Sequence, residues 1–340
     1  MATDKRKQQL MEWLQAVLGT SDFSCEPASM DASFRRYFRL TLNEQSYIVM
    51  DAPPDKEDCR PFVSIATLLL TYGINAPRVF HQSIELGFLV LSDFGHVSYL
   101  DKLTDRTASK YYDDAVNELH KMHQIPLANL DIPTYDAALL KQEMNLFGDW
   151  FLVKLLGVEL SGDERESLMS VHTALVQSAL QQPQVFVHRD YHSRNLMLSE
   201  AINPGVIDFQ DAVIGPLTYD LASLYRDCYI EWPDQQVYKW LDVFLQQRQE
   251  RGCDEGFDTS CFYQWFDWMG AQRHMKAVGI FSRLLLRDNK AGYLKDIPRT
   301  LEYLMAVCLR YDALKPLANL LLRHDVSVKF DQYLKGQTDL

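Results

Sequence analysis

Apolar residues near the start of the chain recur at helical spacing. Leu10, Trp13, Leu14, Val17 and Leu18 form one stripe and predict an amphipathic helix. The period then shortens. Tyr37–Thr41, Ser46–Met50 and Gly87–Leu91 are short, rich in β-branched and aromatic side chains, and bounded by turn formers, so each predicts a strand. A helical pattern at Pro61–Leu70 lies between the last two strands and is closed by the breaker Tyr72-Gly73-Ile74-Asn75-Ala76-Pro77. After Ser92-Asp93-Phe94-Gly95 the pattern turns to long helical stretches, at 98–123, 135–155, 163–181, 218–250, 258–288 and 299–322. Within that half, Val185–Val187, Leu196–Leu198 and Gly205–Phe209 predict three more short strands split by polar loops. The pattern predicts an α+β chain with two lobes, a small β-rich lobe over 1–93 and a large, mainly helical lobe over 94–340.

Of the 340 residues, 47% are hydrophobic and 24% charged, ample for a folded core. The 34 Lys and Arg against 46 Asp and Glu leave a net charge of −12, a field that repels polyanions. Nucleic acid and anionic membrane are therefore not expected as partners. The longest uncharged stretch, Pro61–Pro77, is interrupted by Ser64, Thr67, Thr71, Gly73 and Asn75, so no membrane span is expected. The segment Met1–Gly19 lacks the apolar core of a signal peptide. None of the six cysteines forms a C-x-x-C pair, which fits free thiols in a reducing cytoplasm.

The polar loop after the first embedded strand reads His188-Arg189-Asp190-Tyr191-His192-Ser193-Arg194-Asn195, an H-R-D-x-x-x-x-N pattern of kinase catalytic loops. Phosphoryl transfer needs a carboxylate to orient and deprotonate the attacking hydroxyl. It also needs hard oxygen ligands for Mg²⁺ beside the phosphates. Asp190 is the candidate base. Asn195, and Asp208 thirteen residues on in Ile207-Asp208-Phe209-Gln210, are the candidate Mg²⁺ ligands. Only eleven residues separate Asp208 from Asp220, with neither the activation segment nor the A-P-E of protein kinases. A small molecule is the expected acceptor.

The run H-x-D-x-x-x-x-N, then I-D-F, then Pro216-Leu217-Thr218-Tyr219-Asp220-Leu221-Ala222 resembles the aminoglycoside phosphotransferase and choline kinase superfamily. The resemblance covers nearly the whole chain. It implies a protein-kinase-like fold, ATP and Mg²⁺ as cofactors, Asp190 as base, Asn195 and Asp208 as metal ligands, and Asp220 as the buried brace of the catalytic loop. His188 is grouped with Asp220 as loop support. A narrower likeness rests on Ala32–Leu40, Val49–Pro54, His188–Asn195 and Gln272–Lys276. These segments are similar to the anomeric amino-sugar kinases of Gram-negative cell-wall recycling. That likeness implies a cytoplasmic enzyme phosphorylating the C1 hydroxyl of N-acetylmuramate or N-acetylglucosamine.

Two departures stand out. The third-strand lysine of kinases is replaced by Met50, and no two glycines are two or three residues apart to form a phosphate loop. Ser33, Arg35 and Arg36, before the strand at 37–41, are candidates for the ATP phosphates, with His192. Glu143, Trp150, Asp227 and Arg273 mix carboxylate, aromatic and cation as a sugar pocket requires and are the substrate candidates. Arg273 and Lys276 are the cations proposed for a lactyl carboxylate. Choline, homoserine, another sugar or an aminoglycoside stay open as acceptors, the acidic balance suiting a cation. The missing lysine and glycine loop keep open a non-catalytic, kinase-like nucleotide-binding module. No residue pattern speaks to oligomeric state, and a monomer is the simplest expectation.

Overall fold

A computed structural model describes residues 4–30, 34–128, 130–200, 202–253, 256 and 258–338. The chain divides into two compact units, one of Met1–Met122 with Arg194–Asp211 and the other of His123–Ser193 with Ala212–Leu340.

The first unit opens with helix α1 (Lys5–Leu18), capped by the Asp4 side chain, which accepts from the Lys7 N–H. Strands β1 (Ser24–Met30), β2 (Arg36–Leu42) and β3 (Gln45–Asp51), helix α2 (Arg60–Thr71) and strands β4 (Val79–Ser83) and β5 (Phe88–Ser92) follow. The strands form one antiparallel sheet in the order β1-β2-β3-β5-β4. Phe38 and Leu40, Val49, and Phe88 and Val90 lie on one face of the sheet and pack against Leu10 and Leu14 of α1, while Met50, Leu89 and Leu91 are buried on the other. Met50, expected at the position of the kinase lysine, is wholly buried.

The sheet ends at Ser92, while the unit continues through most of α3 (Ala108–His123). It also takes in the hairpin of β7 (Leu196–Met197) and β8 (Gly205–Val206), because backbone bonds tie that hairpin to it. Tyr99 donates to the Leu196 carbonyl, Leu198 to Val97 and Val206 to Asn75.

The second unit is largely helical: α4 (Ala137–Leu146), a π-helix at Phe147–Leu155, α5 (Gly162–Gln181), α6 (Tyr219–Tyr225), α7 (Asp234–Glu250), α8 (Thr259–Asp288), α9 (Ile297–Arg310), α10 (Lys315–Arg323) and α11 (Val326–Thr338). Its two-stranded sheet pairs β6 (Gln184–Val187) with β9 (Val213–Pro216). The thirty-residue α8 packs against α4, the π-helix, α5, α6 and α9, and so organises the core.

Several expected helices are shorter than their patterns. The stretch at 98–107 is turn, with Ser98 N–H bonded to Asp101 and the Thr107 hydroxyl to the Lys102 carbonyl, so α3 begins at Ala108. The 218–250 stretch breaks after Tyr225 and resumes at Asp234, directly after Pro233. The strand expected over 205–209 stops at Val206, because Asp208 takes a left-handed backbone with φ +66°. No described helix is long and apolar enough to cross a membrane. All six cysteines are free thiols.

Candidate active site

The H-R-D loop begins where β6 ends, and the structure braces it at both ends. Gln182 accepts from the N–H and hydroxyl of Thr218, at 3.0 and 2.8 Å, and so fixes the start of α6 beside β6. That places Asp220, in the first turn of α6, under the loop. Its two carboxylate oxygens accept the backbone N–H groups of His188 (2.7 Å) and Arg189 (3.0 Å). With both donors held, Arg189 takes φ +76°, a left-handed conformation costly for a residue with a side chain. His188 is fully buried, and its Nδ1 faces the Asp190 N–H at 3.3 Å. At the far end Asp227 accepts from the Ser193 N–H at 3.0 Å and hydroxyl at 2.5 Å. Asp190 is left on a short arc between two carboxylate braces.

Behind the arc lies a buried charge cluster. Glu143 of α4 accepts from the Arg189 guanidinium and the Tyr135 hydroxyl, and Lys276 of α8 stands 3.4 Å from it. Gln272, one turn before Lys276, donates to Tyr135 at 3.0 Å and faces Glu143 at 3.4 Å. Lys276 donates to the Tyr219 hydroxyl at 3.1 Å. Arg273 donates to the Arg189 carbonyl at 3.1 Å and lies 4.7 Å over the Tyr219 ring.

These cations set the charge state of the loop. Burial raises the Asp190 carboxyl, but Lys276, His192, Arg273 and Arg189 outweigh it and hold it down at about 2. Asp220 goes the other way: burial pushes it up to about 7 against the pull of its His188 and Arg189 N–H donors. Burial also raises Glu143, but Lys276 and Arg189 keep it below the usual carboxylate range.

Asn195 and Asp208 belong to the other compact unit. The Asn195 amide donates to Asp208 at 3.1 Å, and its carbonyl accepts from the Ile207 N–H at 3.1 Å. Gln210 donates to the second Asp208 oxygen at 2.7 Å, while its own buried Oε1 has no hydrogen-bond partner among the described residues. One carboxylate and two amide oxygens form a hard, all-oxygen donor set. Such a set fits Mg²⁺, which takes one or two carboxylates and leaves room for phosphates. No cluster of three His, Cys, Asp or Glu able to hold a metal ion occurs among the described residues.

A family model described as the phosphotransferase enzyme family matches residues 24–257. The chain belongs to that family. It is 44% identical to the N-acetylmuramate/N-acetylglucosamine kinase of Pseudomonas aeruginosa over 332 residues, covering 94% of this chain and 97% of the relative. Among solved structures, Plasmodium vivax ethanolamine kinase superposes with a TM-score of 0.63 at 11% identity, covering 89% of this chain and 87% of that one. An ADP-bound aminoglycoside phosphotransferase, APH(2'')-Ib, gives 0.56 at 16% identity, covering 87% and 97%. These likenesses place the fold with the kinase-like phosphotransferases.

The remaining candidate residues of this phosphotransferase fall into different settings. Ser33 lies outside the described residues. Arg36 is spent on Asp51, with which it pairs at 2.5 Å, and on Asp4. Arg35 is the more buried of the two arginines, pairs with Glu57 at 3.1 Å and lies within the field of Asp208. His192 donates its backbone N–H to the Asp190 carbonyl at 3.0 Å and sets its ring edge-on to Tyr229. Trp150 sits on the π-helix with the Lys154 ammonium 3.5 Å over its ring. Tyr135, Ser193 and Tyr219 were not anticipated as parts of the loop's support. The available signal was the polar run Gln272-Arg273-His274 and Lys276 on a helix whose Met269, Ala271, Met275 and Val278 are buried.

Proposed function

We propose that this phosphotransferase moves the γ-phosphoryl group of ATP to the anomeric hydroxyl of N-acetylmuramate or N-acetylglucosamine, in the cytoplasm, as a step of peptidoglycan recycling. The observation that carries the acceptor is the likeness to the Pseudomonas aeruginosa kinase, which runs through 97% of that relative. The ADP-bound structural neighbour supports a nucleotide donor.

Asn195 and Asp208 would hold Mg²⁺, which supplies charge neutralisation at the transferring phosphates. Residues 1–93 are assigned the nucleotide and 94–340 catalysis and the acceptor, with Arg35 as the cation in place of the missing lysine. Asp190 orients the C1 hydroxyl and accepts its proton as that oxygen bonds to the γ-phosphorus and the bond to the ADP leaving oxygen breaks. A carboxylate held near 2 is a weak base, so the proton moves late; an anomeric hydroxyl, more acidic than an ordinary alcohol, suits it. His188, Asp220 and Asp227 keep the arc in place. The cations Arg189, Arg273 and Lys276 around Asp190 argue against choline or an aminoglycoside, both positively charged. Retention of Asp190, Asn195 and Asp208 together argues against a non-catalytic module.

A coupled ADP-release assay with Mg²⁺-ATP tests the reading on N-acetylmuramate, N-acetylglucosamine, glucose, choline and kanamycin. Turnover is expected on the two acetamido sugars, with a product that loses phosphate in mild acid as a sugar 1-phosphate does. Asp190→Asn should lower kcat about 10²- to 10⁴-fold while nucleotide affinity stays close to wild type. Turnover confined to choline or kanamycin sinks the proposed acceptor.

A further inference from the structure

The two sugars named for the relative differ by one group. N-acetylmuramate carries a lactyl ether with a carboxylate, so it is an anion where N-acetylglucosamine is neutral. A site that serves both must meet that carboxylate without needing it. Several cations near the catalytic loop already have carboxylates. Arg189 and Lys276 face Glu143, and Arg226 and Arg310 face Asp234.

Arg299 is different. It stands in the first turn of α9 and donates from Nη1 to the Cys228 carbonyl at 3.1 Å. It makes no ion pair among the described residues, and it is neither fully buried nor fully exposed. Cys228 follows Asp227, the residue that grips Ser193, and precedes Tyr229, whose ring meets His192 at 5.3 Å. The next residue, Ile230, accepts from the Tyr303 hydroxyl of α9 at 3.3 Å. The segment 227–230 therefore ties the end of the catalytic loop to the start of α9. It anchors one guanidinium edge on a backbone carbonyl and leaves the rest of the fork without an anionic partner among the described residues. Arg273, by contrast, is bound to the loop's own backbone and lies in the field of Asp190.

We infer that Arg299 is the specificity residue for an acidic acceptor, its guanidinium pairing with the lactyl carboxylate of N-acetylmuramate. The inference rests on the proposed amino-sugar kinase activity and deepens it. A planar guanidinium held at one edge is oriented for a carboxylate before the sugar arrives, so little side-chain entropy is lost on binding.

The test is the ratio of kcat/KM for N-acetylmuramate to that for N-acetylglucosamine, measured in wild type, Arg299→Gln and Arg299→Lys. The ratio does not depend on the fraction of active enzyme, so partial misfolding cannot imitate the result. The expected outcome is a fall of about tenfold in Arg299→Gln, the scale of one charge-assisted hydrogen bond, with Arg299→Lys between it and wild type. In wild type, the methyl ester of N-acetylmuramate should show the same loss. An unchanged ratio in Arg299→Gln overturns the inference and leaves the amino-sugar kinase intact. A wild type silent on both sugars overturns the activity, and the inference with it.

Discussion

Asp190 on the catalytic loop and Asp220 beneath it, in the first turn of α6, are driven by their surroundings to opposite acidities. Against burial, Lys276, His192, Arg273 and Arg189 together hold Asp190 down at about 2, so it contributes no acid limb in the working range. Asp220 is buried, with ionisation near 7, and only its carboxylate form offers both oxygens as strong acceptors to His188 and Arg189. At saturating nucleotide, kcat should therefore rise with pH through about 7 as Asp220 ionises and the arc tightens. Stability should move the other way. The folded value lies above the ordinary 3.8, so this group's contribution is complete below that value and is lost as pH rises through about 7. Asp220→Asn should abolish both trends, lower kcat and cost about 1–3 kcal/mol by leaving one buried N–H without an acceptor. A kcat profile in Asp220→Asn that keeps the wild-type limb would refute the assignment. The candidate residues Asp190, Asn195 and Asp208 were legible from spacing alone, since they sit at fixed intervals on one loop and just past β8. The partners of Asp227 were not, because Ser193 lies 34 residues away and the pairing depends on where α6 ends.

Among the elements, α8 carries most of the burden. It brings Gln272, Arg273 and Lys276 to the loop, and it approaches α4 closely because Gly279 has no side chain. A Cβ there would stand 2.4 Å from the Leu146 carbonyl carbon and 2.6 Å from the Phe147 nitrogen, the junction of α4 and the π-helix. Gly279→Ala should cost about 1–3 kcal/mol, lower the melting temperature and reduce kcat, since Glu143 would be pushed away from Lys276. Gly292, with nothing within 4 Å of its would-be Cβ, serves as the control. Equal melting temperatures for the two variants would refute the close-packing argument. The central strands β2, β3 and β5 and helices α1, α2, α5 and α8 were readable from period. The missed strands β1 and β4 are the two edges of the sheet. An edge strand has one partner and tolerates residues that a central strand excludes. Pro27 in β1 and register shifts in both strands are the result. β9, the third miss, carries Gly215 and Pro216 and pairs only with β6.

At the scale of the molecule the net charge of −12 governs what approaches. The chain should pass unretained through a double-stranded DNA column at physiological salt; retention would reveal a basic patch outweighing the global field. Family membership likewise rests on a long span of the chain, since the matching segment runs from β1 past α7. The sequence by itself determined the chemistry. The residue types that bind a hard cation and accept a proton are few, and their spacing along a loop and a strand end is a local property of the chain. The tertiary structure decided everything that depends on residues distant in sequence. It gave Glu143 to Arg189 and Lys276, and Arg36 to Asp51. It turned Asp227 into a brace for Ser193 and left Arg299 without an ion pair among the described residues. A side chain's charge is written in its own formula, but its partner is settled by where separate helices and strands pack, and burial then determines which of those charges remain available to a ligand.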